Sequence, residues 1–290
     1  MDFISALING LSQGGIYAIV ALGYTMVYGI AKMLNFAHGD IIMMGGYAMY
    51  VTLSFMSSPP VALIVSILFS VILGVCVERF AYKPLRGASP LAVLITAIGV
   101  SFLLQSLAQM IWGSNSKMLM PLKIDGFLRL GTLTVDYSTL VTLGVTVVVM
   151  VALTLFVKYS KTGRAMVAVS EDRDAALLMG INTNRIISVT FAIGSALAAV
   201  ACYLMMTKGY QVVPTFGSMP GIKAFTAAVI GGIGSIPGAM LGGILLGVIE
   251  SVCNTVGLGD YSIAIEFGVL IMILLVKPTG LLGKARREKV

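Results

Sequence analysis

YSTLVTLGVTVVVMVALTLFV, residues 137–157, runs without a single Asp, Glu, Lys or Arg. About 20 predominantly apolar residues wound into a helix cross the hydrocarbon core of a bilayer, and this stretch has that length. It lacks the apolar/polar alternation of a membrane barrel strand, so it reads as a transmembrane helix. Working outward, further charge-free runs cover residues 3–31, 41–77, 87–116, 186–207 and 224–249. A shorter one, 267–276, continues a hydrophobic stretch that begins at Tyr261 and contains Glu266. The run 41–77 is too long for one helix, and Ser57-Ser58-Pro59-Pro60 divides it. The chain is therefore expected to be an all-α, polytopic transmembrane helical bundle of about eight spans, within a range of seven to ten.

Composition excludes the soluble classes. Of 290 residues, 58% are hydrophobic and 11% charged, against about 45–50% and about 25% in soluble domains. The excess of 19 Lys and Arg over 12 Asp and Glu marks cytoplasmic loops and contact with anionic lipid, not nucleic acid. Cys76, Cys202 and Cys253 all lie in apolar stretches, which argues against a disulfide framework or a zinc site. A single histidine, His38, excludes a multi-histidine metal centre. Met1-Asp2-Phe3 lacks a basic leader and reads as the start of the first span.

Two interruptions stand out. Asn35-Phe36-Ala37-His38-Gly39-Asp40 breaks the apolar pattern between helices, as a loop or as a break at membrane depth. Gly231-Gly232-Ile233-Gly234-Ser235-Ile236-Pro237-Gly238 separates a short apolar piece from a longer one ending near Glu250. Irregular backbone inside a bilayer is tolerated where protein or a water-filled cavity surrounds it, and such breaks point to a transport pathway. The other reading of the glycines, Gly238-xxx-Gly242 and Gly243-xxx-Gly247, is close helix packing, and the two are compatible. His38 is read as hydrogen-bonding the bend. Glu250 and Glu266 are read as facing outer water, because neither has a basic residue nearby in the sequence.

The basic residues gather in three segments: Arg79, Lys83 and Arg86; Lys158, Lys161, Arg164, Arg173 and Arg185; and Lys277, Lys284, Arg286, Arg287 and Lys289. The number of helices between them places all three on one side, the cytoplasm. Residues 113–136 and 208–221 then face outward, and the tail 284–290 reads as a solvated positive anchor. The loop 158–185 is far longer than neighbouring helices need. Within it Ser170 suits an N-cap, Glu171 and Asp172 are first-turn acids, and Gly180 suits a C-terminal cap. On this short helix Ala175, Ala176 and Met179 form an apolar patch beside charged Arg173 and Asp174. Spacing leaves two readings open: packing on the protein's own helices, or docking into a partner's groove.

Asp174-Ala175-Ala176-xxx-Gly180 resembles the Glu-Ala-Ala-xxx-Gly motif in cytoplasmic loops of ABC importer permeases, with Asp for Glu; the downstream Ile-x-Leu-Pro of that motif is absent. A wider set agrees with it: Gly29-Ile30, Asn35 to Asp40, Pro84-Leu85-Arg86, Gly163-Arg164-Ala165-Met166, Lys223 to Gly238 and Lys277-Pro278-Thr279-Gly280-Leu281-Leu282-Gly283. Together these resemble the branched-chain amino-acid ABC transporter permease family, its smaller H-type subunit, over about residues 10–284. The resemblance implies a single permease domain over 1–290 in a bacterial cytoplasmic membrane. It also implies as partners a second, different permease subunit, two cytoplasmic ATPases and an external substrate-binding protein. Leucine, isoleucine and valine are the implied substrates, with urea, amides or other small solutes carried by relatives. The coupling residues on this reading are Glu171, Asp172, Arg173, Asp174, Ala175, Ala176, Met179 and Gly180. A mainly apolar pathway lined by small residues is expected at the two breaks, with Asn35, His38, Gly39, Gly45, Gly46, Gly231, Gly232 and Gly234 as its candidate residues.

Catalytic signatures are missing. No Gly-x-x-x-x-Gly-Lys-Ser/Thr string occurs, and Gly280-Leu281-Leu282-Gly283-Lys284-Ala285 has the wrong spacing. Neither Gly-x-Ser-x-Gly nor His-Glu-x-x-His is present. The chain is expected to be no enzyme and to bind no cofactor, with ATP and magnesium held by the partner ATPases. An ion-coupled secondary transporter, the alternative, would leave the loop helix without a purpose.

Overall fold

The computed structural model describes residues 3–130 and 133–283; Met1, Asp2 and the tail residues Lys284, Arg286, Arg287 and Lys289 lie outside them. The chain runs α1 (Phe3–Ala31), α2 (His38–Phe55), α3 (Pro59–Val77), α4 (Pro90–Trp112), α5 (Tyr137–Tyr159), α6 (Lys161–Glu171), α7 (Arg173–Leu178), α8 (Thr183–Thr207), α9 (Ser218–Gly231), α10 (Ile236–Val256) and α11 (Ser262–Val276). Seven of the described helical segments are long and apolar enough to cross a membrane. Two further segments are not among these seven: α2, 18 residues that open with His38 and Asp40, and α9, with 14. The expected count of about eight spans is thus seven crossings plus two partial ones.

Proline and small polar residues set the helix starts. Pro59 opens α3 and divides it from α2, as the sequence suggests. At α4, Pro90 follows Ser89, whose hydroxyl accepts from the Ala92 N–H; at α10, Ser235 accepts from Gly238. The post of the bundle is α1, with 94% of its most apolar window buried, whereas α11 buries 11% and lies at the rim. Against α1 pack α10, α8, α9 and α5.

The α1–α10 contact depends on glycine. A Cβ on Gly247 would lie 2.0 Å from the Gly14 nitrogen, and one on Gly243 would lie 2.4 Å from the Ala18 Cα. Backbones meet there without side chains between them, the close-packing role read from the Gly-xxx-Gly spacing.

The two ends of the bundle differ. At one end Arg86 bonds Asn184 at the start of α8, while Lys158 and Arg164 share a crevice with Ile236 and Pro237. There the N–H groups of Leu281 and Leu282 donate to the Ile230 and Gly231 carbonyls. The three basic segments, as far as they are described, therefore share one side, which is cytoplasmic by the positive-inside rule. At the opposite end β1 (Lys117–Met118) pairs antiparallel with β4 (Gln211–Val212), and β2 (Phe127–Leu130) with β3 (Leu133–Asp136).

Candidate functional site

Residues 32–37 turn at the inner end of α1 and lead back into the bundle. His38, the first residue of α2, lies against Gly23: a Cβ there would be 2.6 Å from the His38 Nε2. Gly23 precedes the end of α1 by eight residues, so at 1.5 Å per residue α2 starts about 12 Å inside the protein. From the outer side the chain after β4 dips in and starts α9 at the same level, where a Cβ on Gly39 would lie 2.3 Å from the Gly217 carbonyl oxygen. Two partial helices thus meet by their N-termini at membrane depth. Broken elements at a shared depth are an arrangement transporters use.

Beside this junction a cleft of about 270 Å³ is lined by Tyr24, Gly39, Asp40, Ser101, Gln105 and Ser218 among others. The Gln105 Nε2 donates to the Asp40 Oδ1 at 2.9 Å and lies 3.1 Å from the Ser101 Oγ and 3.4 Å from the Ser218 Oγ. Exposed Ile98, Phe102 and Ile222 flank the mouth.

The residues expected at the breaks take different places. Gly39 lines the cleft. Asn35 is buried and accepts from the Tyr82 hydroxyl at 2.9 Å. His38 is buried, its Nε2 has no hydrogen-bond partner among the described residues, and its ring meets Tyr24 edge-on at 4.7 Å. Gly45 packs on Ser66 and Ser70, Gly46 on Val212, Gly231 on Gly238, and Gly232, with φ +105°, on Gly283. Gly234, also in the left-handed region, approaches Gly29.

One correction concerns the acids. Glu250 and Glu266 do not simply face water: the Lys223 Nζ sits 2.7 Å from the Glu250 Oε1 and 3.0 Å from the Glu266 Oε1, with Glu266 1% exposed. The Tyr17 hydroxyl donates to the other Glu250 oxygen at 2.7 Å. Glu250 also borders an outer vestibule with Asn9, Gln13, Asp136 and Lys208. Lys208 lies just beyond α8, and burial there pulls its ammonium down to about 8 although Asp136 and Glu250 oppose the shift.

On the cytoplasmic side the loop holds two helices, not one. Ser170 is no cap; it lies in the last turn of α6, its hydroxyl donating to the Val167 carbonyl. Buried Met166 and Val169 fasten that helix to the bundle, so it continues to Glu171. Asp172 is the N-cap of α7, accepting from the Asp174 and Ala175 N–H groups at 3.0 Å each. At the other end Gly180, with φ +79°, donates to Leu177 while Ile181 donates to Ala176, a Schellman closure. The expected patch is also rearranged. Ala176 points inward, 3% exposed, whereas Leu178 and Met179 are 90% and 82% exposed and Leu177 is half exposed. Glu171, Asp172, Arg173, Asp174 and Ala175 are exposed as well.

A groove of about 560 Å³ beside α7 is bordered by Lys32, Arg86, Glu171, Asp172 and Arg173. Arg86, itself nearly buried, pairs with Glu78, which also accepts from the Ser188 hydroxyl at 2.8 Å. Burial lowers the Arg86 guanidinium from its ordinary value, with Glu78 opposing. This knot ties the end of α3 to α8 just beneath the loop helices.

Comparison with known proteins adds the following. The family model described as branched-chain amino acid transport system / permease component matches residues 6–274. A high-affinity branched-chain amino acid transport system permease protein of Pseudomonas aeruginosa, BraD, is 43% identical, with 99% of this chain and 98% of the relative covered. The corresponding LivH proteins of Salmonella typhimurium and Escherichia coli K12 are 41% and 40% identical over 99% of this chain and 98% of each relative. Among solved structures, PsaBC from Streptococcus pneumoniae in complex with Fab superposes with a TM-score of 0.56 at 12% identity, covering 96% of this chain and 93% of that one. That likeness shows a shared fold.

Proposed function

Since the chain belongs to the branched-chain amino acid transport system permease family, we propose that it is one permease subunit of an ATP-driven importer that carries leucine, isoleucine and valine into the cytoplasm. The observation that carries this is 43% identity to a high-affinity branched-chain amino acid permease along almost the whole of both chains. The chain performs no bond chemistry. ATP and magnesium sit on two cytoplasmic ATPase partners, a second and different permease completes the membrane unit, and an external binding protein delivers the substrate.

The reading assigns α7 and its flanks, Glu171 to Gly180, to the ATPases. Six isolated residues do not hold a helix, but α7 is capped at both ends and pinned by Ala176. A push on exposed Leu178 and Met179 therefore moves α6 and α8 instead of melting the helix. Those helices lead to the bundle, where alternating access opens the junction of α2 and α9 to one face at a time. The polar cleft between α4 and α9 is flanked by exposed Ile98, Phe102 and Ile222, and lipid contact is costly for its polar groups; the reading places the second permease against it. Cargo with an apolar side chain requires a path that holds it weakly, and small residues around Gly39 suit that.

Leu178→Glu should abolish co-purification of the ATPases and ATP-dependent leucine uptake while the chain still inserts in the membrane. Retained coupling in this variant would remove the role of α7. Leucine transport by the purified chain alone, without ATPases, would remove the importer reading.

A further inference from the structure

Four carboxylates are buried or half-buried in the bundle among the described residues. Glu78 has Arg86 beside it, and Glu250 and Glu266 share Lys223. Asp40 is 2% exposed and has no ion-pair partner among the described residues. Its charge is met by the Ser101 hydroxyl, the Gln105 amide and the first turn of α2, in which it lies, and a helix N-terminus offers only about half an elementary charge. An ionisable group at membrane depth is costly and marks a substrate or ion path when its counter-charge is missing from the protein.

Resting on the importer reading above, we propose that Asp40 receives the α-ammonium group of the transported amino acid as it passes the junction of α2 and α9. The cleft in which Asp40 lies has room for one small solute, about 270 Å³. The starts of α2 and α9 both border it and present the positive ends of their dipoles, which suits the substrate carboxylate. Ile98 and Phe102 at the mouth supply apolar surface for a branched side chain. Gln105 already takes part of the Asp40 charge, so the ammonium is bound weakly enough to leave.

The test uses the complete assembly in proteoliposomes, with the external binding protein and leucine, and reads uptake together with the subunit composition of the same sample. Asp40→Asn should lower leucine uptake about tenfold or more. The Asp40→Asn complex should still co-purify with the second permease and the ATPases, showing that it is assembled. Asp40→Glu should keep a measurable part of the uptake. Uptake by Asp40→Asn equal to that of the parent would overturn the proposal while leaving the importer reading in place. Loss of the second permease from the purified Asp40→Asn complex would also overturn it, because the carboxylate would then be pairing with a basic side chain of that subunit. Failure of the parent complex to move leucine would remove the importer reading itself.

Discussion

Lys223 holds two acids from two other helices, Glu250 on α10 and Glu266 on α11, and its ammonium also lies 5.4 Å from the centre of the Tyr17 ring on α1. One cation, its side chain 8% exposed, thus joins four elements. Removing one partner of a buried ion pair is far more costly than replacing the whole group by apolar residues. Lys223→Met should therefore destabilise the purified protein by roughly 3–5 kcal/mol, read as a fall in the thermal unfolding midpoint. The double change Lys223→Met with Glu266→Gln should recover part of that loss, and an unshifted midpoint in the single variant would show that the triad does not hold the helices. Sequence alone does not reveal this triad. Charge-free runs are bounded by charges, so Lys223 reads as the edge of a span, and its partners lie far along the chain. Asp40 is similarly hidden, since only the contrast with the paired acids singles it out.

At the scale of elements, the division before α3 was legible because proline acts locally at Pro59, whereas the Ser89 and Ser235 caps that open α4 and α10 were not singled out in the sequence. The glycine spacing on α10 announced a close partner, but which helix it meets is a tertiary fact. Gly247→Leu should force α1 and α10 apart and prevent recovery of folded protein, whereas Gly144→Ala on α5, where an added Cβ meets nothing within 4 Å, should leave expression and melting unchanged. Equal recovery of both would deny the α1–α10 contact its role. The loop helix was legible in its existence and its Gly180 stop, and misread at its start. Ser170 and Asp172 are both competent caps; burial of Met166 and Val169 settles the competition by extending α6 past Ser170. The same burial logic turned Ala176 inward and left Leu178 outside, which no helical spacing decides without knowing where the bundle lies.

For the whole molecule, scarce charge does two jobs. Basic residues at one end set orientation by the positive-inside rule, a property read from composition. Acids within the bundle fasten helices or wait for a charge from outside, and that distinction appears only when all partners are in place. The C-terminal segment shows a further dependence. Leu281 and Leu282 donate to the carbonyls of Ile230 and Gly231, and a Cβ on Gly280 would lie 2.5 Å from the Gly232 nitrogen. A chain ending at Val276 should keep all its helices yet melt lower than one ending at Gly283; equal midpoints would mean that the contact contributes nothing. During synthesis the N-terminal parts of a chain leave the ribosome first. The turn between α9 and α10 then waits, half-made, until the last described residues emerge to close it. The joint between α9 and α10 therefore takes its final form only after residues 277–283 have emerged, later than the helices it connects.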